Sequence, residues 1–383
     1  MANVVVTGYL VRLPTAGNAM AFAPYVLGLH RLGHRVAYLE ESGWPGSCFD
    51  PVTADYGDDP AEGLRRARAL LRSQGCPAPV WWVDRAGGRT DGASRQEVVR
   101  ALAEADLVLN LGGVNWLDEL ASGACHTLVD MDPLFTQAGL FGGDLDAYDL
   151  LLTYGTAVGR EGCRIPTGGR AWAPQLPPAV PEMWPVHELC PVTSPGERMT
   201  TVANWSAYRS VEVDGEVFGS KDGGLLALAG LPRDSPVPLE IALSGAPREV
   251  VNALEEGGWR VVPGGQVTGD LAAYAGYLTG SLGEFSPAKH GYVAGRTGWF
   301  SDRSVCYLSA GRPVVLQDTG FSATVGAGEG LLAWSDPASA VRALEQVHDD
   351  PARHSRAARS LAEDVFGYRR TLPPLLQRAG IGS

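Results

Sequence analysis

Apolar and polar residues alternate in blocks along the first half of the chain, with short apolar runs separated by segments of helical spacing. Residues 3–7 form an apolar run, and residues 20–32 carry apolar side chains at helical spacing and end at a glycine. Residues 35–40 predict a second strand, and residues 106–111 predict another that ends at two glycines. Apolar strands that alternate with helices are typical of a parallel sheet with helices on both faces.

The same alternation returns in the second half, after a segment rich in proline. Residues 165–198 contain eight prolines and show little periodicity, which is typical of a linker or a functional loop. Residues 200–205 then predict a strand. Residues 271–275 predict a short helix, 276–279 a strand and 303–310 a helix.

The pattern predicts an α/β protein of two Rossmann-like domains that face each other across a cleft. We place an N-terminal domain at 1–165, a proline-rich linker at 166–199 and a C-terminal domain at 200–365. We expect a C-terminal helix at 366–383 to pack back on the N-terminal domain. Ligands of such sheets bind outside the carboxyl ends of the strands, so site residues are expected in the loops that follow the strands.

Composition and charge exclude several classes of protein. The 383 residues are 45% hydrophobic and 19% charged, which is ordinary for a globular protein, and the formal net charge is −12. This charge disfavours nucleic acid and anionic membranes as partners. The sequence has no apolar run of 18 residues and no signal peptide at its start, so we expect a cytoplasmic protein, monomeric or homodimeric. The six cysteines lie too far apart in sequence to predict a zinc site.

Lysine is almost absent from the chain. Of the 31 basic residues, only Lys221 and Lys289 are lysine. One interpretation is that both remain where a compact ammonium is needed and a planar guanidinium does not fit. The alternative is two ordinary surface lysines.

The predicted helix at 303–310 has a polar N-terminus, which favours the binding of an anion. Ser301 or Asp302 is the predicted N-cap of the helix at 303–310. The free amides and the dipole of a helix N-terminus attract phosphate, and Arg303 and Ser304 add side-chain donors. The alternative is an ordinary capped helix.

This segment also carries a resemblance to a known family. The helix followed by A-G-R-P-V-V at 310–315 resembles the C-terminal half of GT-B glycosyltransferases of the GT4-like kind, where G-x-P-V-V closes the nucleotide-sugar site. The strand at 200–205 and the segment G-S-K-D-G-G at 219–224 resemble the opening of that half. The sequence is also similar to a bacterial group with F-S-x-A-K-x-G-Y-V and G-W-F-S-D-R-x-x-C-Y-L, which stand here at 285–293 and 298–308. Residues 9–41 resemble the family's first helix and second strand.

The resemblance implies a soluble, metal-independent glycosyltransferase that needs no cofactor. It uses a nucleotide-sugar as the donor substrate, linked to UDP, GDP or dTDP, and passes the sugar to a small-molecule acceptor. Cations and helix N-termini aimed at the leaving diphosphate replace a divalent metal. The implied donor-binding residues are Asn204, Arg209, Lys221, Glu284, Lys289, Arg296, Trp299, Ser301, Asp302, Arg303, Ser304, Asp318, Thr319 and Gly320.

One position departs from the family pattern. Retaining members carry an acidic residue five positions before the glycine of G-x-P-V-V, and that position here is Cys306. Glu284 is a candidate for the family's upstream glutamate, and Asp302 is a candidate for the ribose contact. Whether the reaction inverts or retains configuration stays open.

The N-terminal half is expected to supply the catalytic base. Asp132 or Asp130, at the end of a predicted strand, is the candidate that takes the proton of the acceptor hydroxyl. The alternatives for this D-x-D pair are a helix cap and a metal chelate. Gly8, Gly17 and Asn18, after the first strand, are candidates for a loop near the phosphate or the acceptor.

Three functions are therefore consistent with the sequence. The first is a glycosyltransferase, and the arginine-rich composition is compatible with a natural-product pathway. The second is a nucleotide-sugar epimerase or pseudo-glycosyltransferase on the same fold. The third is a catalytically silent nucleotide-sugar-binding protein, which the departure at Cys306 motivates.

Overall fold

The computed structural model describes residues 1–85, 87–116, 124–140, 144–184, 198–205, 210–213, 215–219 and 222–382. Within these ranges two parallel sheets are present, each covered by helices. Among the described helices, none combines the length and the hydrophobicity that a membrane span requires.

The first half folds into an eight-stranded sheet with the order β10-β9-β8-β7-β1-β2-β5-β6. All of its neighbouring strands are parallel except β6, which runs antiparallel to β5 at one edge. A separate hairpin, β3 and β4, follows β2. The strands are β1 (Asn3–Thr7), β2 (Arg35–Glu41), β3 (Cys48–Asp50), β4 (Asp55–Gly57), β5 (Val80–Val83), β6 (Thr90–Asp91), β7 (Leu107–Leu111), β8 (Cys125–Asp130), β9 (Leu150–Thr153) and β10 (Trp172–Pro174).

The second half contributes a six-stranded, all-parallel sheet with the order β15-β14-β11-β16-β17-β18. A short hairpin, β12 and β13, lies outside this sheet. The strands are β11 (Met199–Asn204), β12 (Val211–Val213), β13 (Glu216–Phe218), β14 (Leu239–Ser244), β15 (Arg260–Pro263), β16 (Gly283–Ser286), β17 (Val314–Gln317) and β18 (Leu331–Trp334).

Helices connect the strands in both halves. They are α1 (Ala16–Arg31), α2 (Ala61–Ser73), α3 (Arg95–Ala103), α4 (Asp222–Leu226), α5 (Arg248–Gly257), α6 (Gly264–Thr268), α7 (Leu271–Thr279), α8 (His290–Ala294), α9 (Asp302–Ser309), α10 (Pro337–Asp349), α11 (Pro351–Asp364) and α12 (Tyr368–Arg378). The apolar strands and the helical periodicity of the sequence explain this order, and the alternating α/β architecture is confirmed.

Two local predictions differ from the structure. The predicted strand at 276–279 is wrong, because these residues continue α7 and the strand comes later, as β16. A short apolar run fits a buried helix as well as a strand, so its pattern does not decide between them. The segment 166–199 is also more than a linker, because it contributes β10, which extends the first sheet beyond β9.

The two halves are joined by helix packing and by backbone hydrogen bonds outside the named strands. α12, at the C-terminal end, packs on α1 of the first half, and α9 of the second half also contacts α1. The backbones of Ala179 and residues 366–368 pair, with the Ala179 amide donating to the Phe366 carbonyl at 2.7 Å. α1 is therefore buried between the first sheet and the second domain, which explains why its apolar residues extend around most of the helix.

Candidate active site

The candidate site lies where the carboxyl ends of strands from the two sheets come together. β8 of the first sheet ends at Asp130, and the turn after it carries Asp132. β16 of the second sheet ends at Ser286, and Lys289 stands immediately before α8. The topology of parallel α/β sheets places ligands at such ends, so the two loops meet where a ligand is expected.

Asp132 and Lys289 form an ion pair between the two halves. The Lys289 ammonium nitrogen lies 2.5 Å from Asp132 Oδ1. The Lys289 side chain is 11% exposed and the Asp132 side chain is 34% exposed, so the pair is accessible mainly from the Asp132 side. The Tyr292 hydroxyl also donates to Asp132 Oδ1 and accepts from Lys289 at 2.8 Å.

Aromatic rings surround the Lys289 ammonium. It lies 5.2 Å from the ring centre of Phe135 and 5.0 Å from that of Tyr292. The Trp299 ring packs on Tyr292 at 4.5 Å, and its indole N–H donates to the Met131 carbonyl at 3.1 Å. These contacts fix the position of the ammonium and bring residues 131–135 of the first half against residues 289–299 of the second.

Asp130 has an internal role that the sequence did not predict. It is 1% exposed. Its carboxylate accepts hydrogen bonds from the Asp132 amide at 3.0 Å and from the side chains of Thr136, Gln137 and Thr153 at 2.6, 2.9 and 2.7 Å. Burial raises the pKa of Asp130, and these donors oppose the rise. Because its oxygens are occupied, Asp130 orients the turn. Asp132 is the more exposed of the two carboxylates, and its role as the base stays a prediction.

The same hydrogen bonds engage the Asp130 carboxylate of the first D-x-D pair. No group of three or more histidine, cysteine or acidic side chains with the arrangement of a metal site occurs within the described ranges. The second D-x-D of the sequence is also engaged, since Asp144 accepts from the Asp146 amide and Asp146 pairs with Arg170.

Asp302 is the third acidic group near the pair. Burial raises the pKa of the Asp302 carboxyl, whereas the backbone amide and the charge of Arg303 lower it. The charge of Asp132 raises this pKa further, and the charge of Lys289 lowers it. These mutual influences place the Asp302 carboxylate in the electrostatic surroundings of the ion pair, at the first residue of α9. Ser301 is the N-cap residue, but its side chain makes no capping bond.

Glu284 and Arg303 form an ion pair inside the second domain. Glu284 is fully buried, and its Oε1 lies 2.5 Å from Arg303 Nε. The other two guanidinium nitrogens donate to the Val202 carbonyl at 2.8 Å and to the Ser286 hydroxyl at 2.5 Å. All three nitrogens of Arg303 are therefore used within the domain, and contact of this pair with the donor stays a prediction.

The remaining donor-site candidates of the second half are spread around the strand ends. Asn204 ends β11 and is exposed. Ser304 is buried in the first turn of α9, and its hydroxyl has no hydrogen-bond partner among the residues that the structure describes. Arg296 is exposed in a left-handed conformation with φ 48°. Arg209 and Lys221 lie outside the described residues.

The turn after β17 closes against Trp299. Thr319 is buried, and its hydroxyl donates to the Trp299 carbonyl at 2.6 Å. Asp318 accepts from the Gly320 amide at 2.8 Å and from the Ser322 hydroxyl at 2.5 Å. Asp318, Thr319 and Gly320 thus hold the loop that carries Trp299, and a direct contact with the donor sugar stays a prediction.

The three N-terminal candidates differ in their surroundings. A Cβ at Gly8 would lie 2.4 Å from the Phe22 ring, so close packing already explains this glycine. Gly17, near the start of α1, has no atom within 4 Å of the corresponding position and is open. The Asn18 side chain donates to the Leu13 carbonyl at 3.1 Å and shapes the turn before α1.

Sequence reasoning missed Tyr292, which contacts both members of the ion pair. The available signal was the motif at 285–293, in which Tyr292 follows Lys289 by three residues. Sequence reasoning also missed Phe135, because its contact with Tyr292 joins residues far apart in the chain.

Comparison with known proteins identifies the fold. No family model matches the sequence, and no curated protein matches it. Solved structures are similar over almost the whole chain. AviGT4, a glycosyltransferase involved in avilamycin A biosynthesis, has a TM-score of 0.57 at 14% identity and covers 99% of this chain and 97% of its own.

Two further similar structures were solved with UDP. The α-glucosyltransferase AGT in complex with UDP has a TM-score of 0.59 at 8% identity and covers 99% of this chain and 100% of its own. HepE from Anabaena, in complex with UDP and glucose, has a TM-score of 0.53 at 12% identity with the same coverages, 99% and 100%. Two parallel sheets that meet at their carboxyl ends, together with this similarity, show that the chain has the GT-B fold of glycosyltransferases.

Proposed function

We propose that the protein is a glycosyltransferase that moves a sugar from a nucleotide-diphosphate donor to a small-molecule acceptor. The observation that carries this proposal is the contact of 2.5 Å between Asp132 and Lys289 across the two halves of a GT-B fold. A carboxylate and an ammonium at this place supply the two charges that glycosyl transfer without a metal requires, a base for the acceptor and a cation for the leaving group.

Lys289 acts on the leaving diphosphate. In the structure Asp132 neutralises its charge, and the aromatic rings of Phe135 and Tyr292 lie beside it. A nucleoside diphosphate carries more negative charge than one carboxylate and therefore competes for the ammonium. Donor binding is expected to draw Lys289 toward the phosphates and to release Asp132.

Asp132 acts on the acceptor. Once released, its carboxylate takes the proton of the acceptor hydroxyl while the hydroxyl oxygen attacks the anomeric carbon of the donor sugar. The bond between the anomeric carbon and the diphosphate oxygen breaks, and its electron pair leaves with the nucleoside diphosphate. This single displacement inverts the configuration at the anomeric carbon, so we propose an inverting reaction.

The similar structures guide the choice of acceptor class and nucleotide. AviGT4 is involved in avilamycin A biosynthesis, and this supports a natural-product acceptor for the present chain. AGT and HepE were solved with UDP, which makes UDP the first nucleotide to test.

Isothermal titration with UDP, GDP and dTDP tests the donor side of the proposal. One nucleotide is expected to bind with a Kd in the micromolar range, roughly −8 kcal/mol in binding free energy. Failure of all three to bind below about 1 mM contradicts a nucleotide-sugar function.

Product analysis then separates the three functions that the sequence left open. The proposed transferase releases nucleoside diphosphate in proportion to glycosylated acceptor. An epimerised donor formed without an acceptor supports an epimerase instead. Tight nucleotide binding with no turnover over a broad acceptor panel supports a silent binding protein.

A further inference from the structure

A second cluster of aromatic and charged side chains lies at the carboxyl ends of the strands of the first sheet, as Asp132 does. At its centre is Arg12, whose side chain is 1% exposed and whose Nε lies 3.2 Å from Glu40 Oε1. Three rings surround its guanidinium carbon, with their centres at 4.4 Å for Tyr9, 5.8 Å for Trp44 and 6.0 Å for Trp116. We call these five residues the arginine–aromatic cluster.

The charges in and around this cluster are balanced. Glu40 faces Arg12, and the guanidinium of Arg85 lies 3.9 Å from Glu41 and 4.9 Å from the ring centre of Trp116. Two arginines and two glutamates side by side leave little net charge. Such a surface favours an uncharged ligand with many hydroxyl groups over a strongly anionic one.

The cluster also presents aromatic surface to solvent. Trp44 is 54% exposed, and Tyr56, on the adjoining hairpin of β3 and β4, is 61% exposed. Tyr56 packs on Phe49 at 5.1 Å, so the hairpin holds its ring in place. Large exposed aromatic side chains beside polar groups mark a binding surface.

One buried donor in the cluster lacks an acceptor. Nη1 of Arg12 is buried and has no hydrogen-bond partner among the described residues, whereas Nη2 of the same side chain donates to the Val114 carbonyl at 2.5 Å. A buried donor without a partner is unfavourable, because it has lost its hydrogen bonds to water. A ligand hydroxyl that enters beside Trp44 would remove this cost.

The strand order relates the cluster to Asp132. Asp132 follows β8, whereas Trp116 follows β7, Arg12 follows β1 and Trp44 follows β2, and these four strands are consecutive neighbours in the sheet. Neighbouring strands are about 4.8 Å apart, so the cluster extends from about 5 to about 14 Å away from the Asp132 strand. A single hexose at Asp132 does not reach Trp44, whereas an acceptor of two or more rings does.

We propose that the arginine–aromatic cluster binds the distal part of an extended, uncharged carbohydrate acceptor with two or more sugar rings. Sugar rings have apolar C–H faces that stack on aromatic rings, and the hydroxyl groups at their edges accept hydrogen bonds from arginine. The inference rests on the proposed function in one respect, because Asp132 defines the reacting end of the acceptor.

A glycan array with the labelled full-length protein tests this inference. The array carries mono-, di- and trisaccharides of the same sugars and a set of planar polyphenols. The wild type is compared with Trp44→Ala and Trp116→Ala. The matched control is Trp172→Ala in β10, an edge strand of the same sheet that carries no residue of the cluster. Nucleotide affinity and melting temperature are measured for all four proteins.

The wild type is expected to retain di- and trisaccharides better than monosaccharides. Each cluster variant should lose about tenfold or more of this binding, with nucleotide affinity unchanged, whereas the Trp172 control keeps it. The inference is overturned if the protein retains only polyphenols, or if its glycan binding does not depend on the number of sugar rings. It is also overturned if both cluster variants bind glycans as the wild type does. Glycan binding that depends on chain length, in a protein that binds no nucleotide, contradicts the proposed function and leaves the cluster as a carbohydrate site.

Discussion

At the scale of single residues, Tyr292 connects the two members of the ion pair. Its hydroxyl donates to Asp132 and accepts from Lys289, whereas its ring packs on Phe135 and Trp299. The ring therefore serves packing, and the hydroxyl serves the orientation of the carboxylate. A substitution that removes only the hydroxyl separates these two roles.

We predict that Tyr292→Phe lowers kcat about tenfold with little change in the donor KM, because Asp132 loses the group that orients it. The matched control is Tyr368→Phe in α12, for which wild-type kinetics are expected. Steady-state kinetics with the identified donor measure both parameters. An equal loss in both variants, or a rise in donor KM alone, contradicts the orienting role.

Asp302 makes stability depend on pH in a definite direction. Burial raises the pKa of its carboxyl, so the folded protein holds the proton to a higher pH than the unfolded chain does. The associated stability is complete below the pKa of an unfolded aspartate, about 3.9, and is lost as the pH rises through the folded value.

Asp302→Asn removes this loss. We expect the free energy of unfolding of the variant, relative to the wild type, to increase as the pH rises above the pKa of an unfolded aspartate, about 3.9. Urea denaturation at several pH values measures it, with the exposed Asp234→Asn as the control, which should show no such trend. A relative stability of Asp302→Asn that falls with pH contradicts the buried environment of Asp302.

At the scale of elements, the Glu284–Arg303 pair fixes α9 on β16. Both charges lie between the helix and the sheet, so removal of one partner leaves the other buried without a counter-charge. Such losses typically cost about 3–5 kcal/mol, whereas replacement of both charges costs less.

Arg303→Met is therefore expected to lower the free energy of unfolding by about 3 kcal/mol or more, and Arg303→Met with Glu284→Gln by distinctly less. Chemical denaturation of the wild type, both single variants and the double variant closes the cycle. If Arg303→Met keeps wild-type stability but loses nucleotide affinity, the structural interpretation fails and Arg303 contacts the donor, as the sequence predicted.

Helix α1 offers a matched pair of glycines for testing the contact between the halves. A Cβ at Gly28 would lie 2.6 Å from Leu372 and 2.7 Å from the Tyr368 Cβ in α12, whereas Gly17 has open space. Gly28→Ala is expected to lower the free energy of unfolding by about 1–3 kcal/mol. Gly17→Ala should be neutral, or stabilising by up to about 1 kcal/mol.

Thermal and chemical unfolding measure both glycine variants. Equal stability of the two would contradict the close approach of α12 to α1. A selective loss of nucleotide affinity in Gly17→Ala, without a loss of stability, would place this glycine beside the donor.

At the scale of the whole molecule, the repeated alternation of strands and helices predicted the two sheets, because hydrophobic periodicity is a local property. Asp132 and Lys289 were each predicted as site residues, but their contact was not. They are 157 positions apart, and only the packing of the two halves brings them together. Arg303 shows the opposite case, because its type and position suit a phosphate, yet a buried glutamate holds it inside the domain.

Lys289 is expected to exchange Asp132 for the donor diphosphate when the donor binds. Titration of the preferred nucleotide into Lys289→Ala and Asp132→Asn, with the wild type alongside, tests it most directly. Lys289→Ala is expected to bind about tenfold or more weakly, whereas Asp132→Asn should bind at least as tightly as the wild type and lose about 100-fold or more in turnover. Wild-type affinity in Lys289→Ala, or weakened binding in Asp132→Asn, would contradict the account.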